Sequence, residues 1–94
     1  KDTESYEIPK GVTKIREYAF SYAKMTSVSI PLSMNIIGEY AFYECQSLQK
    51  VIIPNSVTNL GMETFSNCNS IESIFIPSSV TLNSSNYFSL YSNN

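Results

Sequence analysis

The chain has 94 residues, 43% of them hydrophobic and 15% charged, which fits one globular domain and is too apolar for a disordered segment. Six Lys and Arg against eight Asp and Glu give a net charge of −2 with no run of like charges longer than two, so no footprint for nucleic acid is present. The longest unbroken apolar stretch is four residues, as in Val51-Ile52-Ile53-Pro54, far below the roughly 18 that a membrane helix needs, and no membrane span is expected.

In chain order, Lys1-Asp2-Thr3 opens with neither an initiator Met nor a basic-then-apolar leader, as expected of an excised fragment or a processed segment. Tyr6-Glu7-Ile8 then reads as a short strand. The same pattern returns as Val28-Ser29-Ile30, Val51-Ile52-Ile53 and Ile74-Phe75-Ile76, each with inward residues flanking an outward one. Proline follows every time, at Pro9, Pro31, Pro54 and Pro77, and ends the strand because it has no N–H for a ladder. The Ile-Pro pairs recur at nearly equal intervals, which divides the chain into units 8–29, 30–52, 53–75 and a partial 76–94. Self-similarity at such a period marks a solenoid, whose units bury their apolar side chains against one another, and residues 1–94 read as a single repeat domain.

Equivalent positions then form columns. Ile8, Ile30, Ile53 and Ile76 make one, Val12, Met34, Val57 and Val80 another, and Phe20, Phe42, Phe65 and Phe88 a third. Ile15, Ile37 and Leu60 align with Asn83, and Met25, Leu48 and Ile71 match after a one-residue deletion. After each proline, Lys10-Gly11, Leu32-Ser33, Asn55-Ser56 and Ser78-Ser79 carry the chain around a turn. The stretch from Ile15 to Ala23, with its Tyr-Ala-Phe, is predicted as a short helical turn, with Gly38 and Gly61 supplying a positive φ at its entrance in the later units.

The phrase IPxSVTxIGxxAFxxCxSLxxVxIP, nearly complete from Ile30 to Pro54, resembles the BspA-like class of leucine-rich repeats. Arg16 departs from it where the later units have glycine, as does Thr64 where the earlier ones have alanine. The resemblance implies an α/β repeat solenoid: a fragment of a right-handed leucine-rich-repeat horseshoe, with a short parallel sheet on its concave face and short helical turns or loops opposite. It also implies cell-surface or extracellular display and protein-binding or adhesive use, without catalytic residues or a cofactor.

Residues that could carry chemistry are few. The chain has no histidine, which removes the usual general base and the commonest metal ligand, so an enzyme is not expected. Glu17 and Glu39 share a column, but paired acids on an open face lack the enclosing pocket that would tune them. Tyr18 and Tyr40 align with Glu63 and Asn86 and read as outward surface residues rather than a ligand cage. Cys45 and Cys68 share a column with Ala23 and Tyr91; neighbouring coils come close enough for a bridge, yet a small buried thiol fits where Ala fits, and both are expected to be reduced. Asn83-Ser84-Ser85 is a sequon that matters only in a glycosylating secretory route.

The outward strand positions are more informative. One column reads Ser5, Ser27, Lys50, Ser73 and the other Glu7, Ser29, Ile52, Phe75, so the sheet turns from polar to apolar along the solenoid. Ser29, Lys50, Ile52, Ser73 and Phe75 are the candidate contacts for a protein partner, since clustered exposed apolar side chains mark interfaces. The rival reading is a structural spacer or regulatory repeat arm of a larger protein. Neither Lys1 to Tyr6 nor Asn83 to Asn94 looks like a sealed cap, and uncovered strand edges invite self-association, as a homodimer or edge to edge.

Overall fold

A computed structural model describes residues 5–80. Asn83 with its sequon, Phe88, Tyr91 and, apart from Ser5 and Tyr6, the uncapped ends expected at 1–6 and 83–94 lie outside the described residues. The strands are β1 (Ser5–Glu7), β2 (Lys14–Ile15), β3 (Ser27–Ser29), β4 (Ile36–Ile37), β5 (Lys50–Ile52), β6 (Asn59–Leu60) and β7 (Ser73–Phe75). They form two parallel sheets, β1-β3-β5-β7 and β2-β4-β6, with one strand of each sheet from each of the first three coils, so the described residues make a β-solenoid of about three turns.

The first sheet lies one residue earlier than its sequence pattern suggests, but the alternation is the same. Ser5 pairs with Ser27, Lys50 with Ser73, Val51 with Ile74 and Ile52 with Phe75. The ladder runs on into the isoleucines, where Ile8 N donates to Ser29 O (3.0 Å) and Ile53 N to Phe75 O (3.2 Å), and stops at the prolines that follow. Each proline carbonyl then takes the N–H three residues on, closing a turn: Val12 to Pro9 (3.3 Å), Met34 to Pro31 (3.1 Å), Val57 to Pro54 (3.1 Å) and Val80 to Pro77 (3.2 Å). Serines in these turns stitch adjacent coils, with Ser33 Oγ donating to Val12 O and Ser79 Oγ to Val57 O, both at 2.8 Å.

The short helical turn predicted on the opposite side is not there: among the described residues that stretch is a run of turns, with no helix. Its backbone N–H groups alternate. Ala19, Ser21 and Ala23 donate to Arg16, Tyr18 and Phe20, three residues back, whereas Tyr18, Phe20 and Tyr22 donate to Glu39, Ala41 and Tyr43 of the next coil at 2.8–3.2 Å. The second unit repeats this, with Phe42 N to Thr64 O at 2.9 Å and Glu44 N to Ser66 O at 2.9 Å. A helix would need all of those donors for itself. The alternation is made by left-handed residues four apart: Tyr18 and Tyr22 (φ 60° and 65°), Tyr40 and Glu44 (57° and 58°), Glu63 and Asn67 (49° and 61°).

Gly38 and Gly61 therefore have a different role from the one predicted, because the positive φ values fall on other residues. A Cβ on Gly38 would lie 2.8 Å from Glu17 N and from Ile15 O of the preceding coil, and one on Gly61 would run into Gly38 C and Glu39 N. These glycines let coils approach. Arg16, in the same column, is itself part of the backbone over which Gly38 packs. Thr64 is also accounted for, since its buried hydroxyl donates to Gly61 O at 2.6 Å.

Ile8, Ile30, Ile53, Ile15, Ile37, Leu60, Met25, Leu48, Val28 and Val51 fill the space between the sheets and the turns. Phe42 and Phe65 are fully buried, and Phe20, Phe42 and Phe65 stack with successive centroids 5.3 Å apart. Burial is deepest in the two middle coils; Val12, Phe20, Ile74 and Ile76 of the outer coils are only partly covered.

Candidate functional site

On the outer face of the first sheet, polar groups come first. Ser5 and Ser27 share a hydrogen bond between hydroxyls (2.9 Å), with Glu7 and Ser29 paired beside them. Toward β7 the face becomes apolar: Ile52 and Phe75 lie opposite each other in register and are 69% and 56% exposed. Parallel pairing brings their Cβ atoms to adjacent positions about 5 Å apart, forming one patch.

The sequence pattern places Leu32 in a polar turn, yet it is 78% exposed and stands at the rim of a groove of about 600 Å³ whose lining includes Ser29, Lys50, Ile52 and Phe75. Four of the five sequence-derived contacts thus meet around one depression; Ser73 pairs with Lys50 on the same face but does not line it. The signal for Leu32 is present in the column Lys10, Leu32, Asn55, Ser78, where it is the one apolar residue. Leu32 also borders a second groove of about 440 Å³ on the side of Glu7 and Lys10. With one ammonium at Lys50 beside leucine, isoleucine and phenylalanine, the larger groove can cover apolar side chains and pair with a carboxylate.

The other open face, over β2-β4-β6, has a shallow groove of about 690 Å³ lined in part by Lys14, Arg16, Glu17, Ile36, Glu39 and Asn59. It is larger, but it mixes both signs of charge and is about as polar as apolar, whereas the groove on the first sheet is mostly apolar, which makes the first sheet the stronger candidate for docking. Glu17 and Glu39 lie here as exposed carboxylates beside Lys14 and Arg16, without enclosure.

Cys45 and Cys68 are free and fully buried. Their thiols donate to Phe20 O and Phe42 O, each at 3.0 Å, so each cysteine links its coil to the phenylalanine carbonyl of the preceding coil. Hydrogen bonding with Cys45 and burial push the Cys68 thiol up from its ordinary range, and full burial shields both thiols from reagents. A disulfide would forfeit both bonds to carbonyl oxygen. Two free thiols per chain are expected after denaturation without reductant, with negligible reaction of the native protein on the same timescale. Recovery of fewer than two would show that the pair is bridged.

Tyr18 and Tyr40 lie at the surface, as their column implies, but they are not isolated. Their rings stack 5.0 Å apart at an interplanar angle of 5°, and Tyr43 stands edge-on to both at 6.1 and 5.7 Å and to Tyr22 at 5.7 Å. Tyr18 and Tyr22 are 50% and 63% exposed. The charge of Glu63, with partial burial, holds the Tyr40 phenol above its ordinary range.

No helix among the described residues is long and apolar enough to cross a membrane. Comparison with curated proteins and with solved structures returns no match. A family model described as BspA type leucine rich repeat region (6 copies) matches residues 1–93. With that match over nearly its whole length, and with successive coils stacked in parallel register, the chain belongs to the BspA-type leucine-rich-repeat family.

Proposed function

We propose that the chain, as a single domain over residues 1–94, is a non-enzymatic protein-binding module of a surface or extracellular adhesive protein. Its docking face is the outer side of the first sheet, with Ile52 and Phe75 as the apolar centre, Leu32 at the rim of the adjoining groove, and Ser29, Lys50 and Ser73 around them. The observation that carries this reading is the in-register exposure of Ile52 and Phe75 beside the groove that Leu32 borders. Leaving apolar surface in water forgoes roughly 25 cal/mol per Å² relative to covering it, so a partner that seats there gains directly. Membership of a repeat family used for protein interaction supports the same reading.

The test combines Ile52→Ser with Phe75→Ser. Both side chains point away from the core, so the melting temperature should stay within a few degrees of wild type. Peptides selected for binding to the native module should bind the double variant at least about tenfold more weakly, a difference of roughly 1.4 kcal/mol. Unfolding of the variant would place these side chains in the core. Selected ligands that ignore both substitutions would place the docking surface elsewhere, and sedimentation over a concentration series tells whether a second copy of the chain is such a ligand.

A further inference from the structure

The stack of turns carries a recognition surface unlike the sheet. Because each coil repeats the same backbone path, outward side chains there fall into columns: Tyr18, Tyr40 and Glu63 in one, Tyr22, Glu44 and Asn67 in the next, and Tyr43 between them. Three of the tyrosines occupy left-handed backbone, where asparagine or glycine is the less strained choice and where Asn67 sits in the third coil. The turn itself does not require a ring, since Glu44, Glu63 and Asn67 hold the same conformation. Aromatic side chains are thus placed at a backbone cost that the core does not explain.

In the turns of the second and third coils the charge has one sign. From Gly38 to Gln49 and from Gly61 to Glu72 there is no Lys or Arg, while Glu39, Glu44 and Glu63 lie in these turns; the nearest cations, Arg16 and Lys24, stand at the two ends of the first coil's turn. Glu44 already takes Gln46 Nε2 (3.0 Å) and Asn67 Nδ2 (3.4 Å), which hold its carboxylate against the surface next to the ring cluster. Glu63 continues the column of the stacked pair and is close enough for its charge to act on the Tyr40 phenol. Tyr18 and Tyr40 stack on each other, so each ring covers one face of its neighbour, and Tyr43 stands edge-on to both; the cluster offers an outer ring face and ring edges rather than a cage closed on several sides.

We propose that this face binds an arginine-bearing segment of a basic protein, the guanidinium lying on a tyrosine face while its N–H fork bonds Glu44 or Glu63. A guanidinium lies flat on an exposed ring face and pairs with a carboxylate through two parallel hydrogen bonds, whereas an ammonium is attracted to a ring only as a point charge and has no planar fork. The surface is separate from the sheet groove and shares no residue with it.

Hexa-arginine, hexa-lysine and the neutral sugar cellohexaose, each titrated into the full chain at low salt and followed by tyrosine fluorescence, test this. Hexa-arginine should bind at least about threefold more tightly than hexa-lysine and should weaken as salt rises. The pair Glu44→Gln and Glu63→Gln leaves every ring in place and should weaken hexa-arginine about fivefold or more. The pair Tyr18→Asn and Tyr40→Asn, with a residue that tolerates left-handed φ, should weaken it about tenfold, with a melting curve confirming the fold. Equal affinity for the two cationic peptides, or indifference to both pairs of substitutions, would overturn the proposal. So would tighter binding of cellohexaose that is lost with Tyr18 and Tyr40, which would make the platform a carbohydrate site.

Discussion

Replacing Phe42 by Ala should destabilise the protein by about 3–5 kcal/mol, the range for a fully buried aromatic truncated in a core that cannot collapse around the hole. Its ring is packed between Phe20 and Phe65, at interplanar angles of 5° and 9°. Its backbone is held as firmly: Phe42 N donates to Thr64 O at 2.9 Å, and Phe42 O accepts Cys45 N at 3.2 Å and the Cys68 thiol at 3.0 Å. Neighbouring coils are therefore unable to settle into the vacated space. A domain of this size has about 5–14 kcal/mol in total, so a large part of its stability would be lost. Phe20→Ala, at a half-buried position, should shift a urea midpoint much less. Similar midpoints for Phe42→Ala and wild type would mean that the phenylalanine column does not hold the coils together.

Gly61→Ala should reverse the usual sign of a glycine-to-alanine change. At a compatible position that change stabilises by about 0.4–1 kcal/mol through the unfolded chain. Here the added methyl would meet Gly38 C and Glu39 N, backbone atoms of the neighbouring coil that cannot rotate away. Overpacking of this kind costs about 1–3 kcal/mol, and obstruction by backbone places it at the upper end. Arg16→Ala is the control. It stands in the same column, already has a Cβ and is exposed, so its urea midpoint should match wild type within about 0.5 kcal/mol. A neutral Gly61→Ala would show that the coils do not stack as closely as the geometry requires.

Whatever is a direct image of stacking was legible in the repeat. Parallel coils in register place residues one period apart side by side, so a column read from the repeat is a row in space: Lys50 beside Ser73, Ile52 beside Phe75, Phe42 between Phe20 and Phe65. Period-2 alternation in the strands then sorted inward Val51 from outward Ile52 without reference to the fold. The path between strands depended on the assembled coils. Tyr-Ala-Phe and its neighbours suit a helix locally, and whether an N–H turns back within its coil or crosses to the next depends on a carbonyl that a whole coil of chain must first bring into reach. The same dependence moved the positive φ values from glycine to Tyr18, Tyr40 and Glu63 and left Gly38 and Gly61 as points of close approach. It also set Leu32 beside Ile52 and Phe75, and gathered four tyrosines of two coils into one cluster. Columns follow from the period alone, whereas contacts between different columns depend on how far each coil bends, which no single unit specifies.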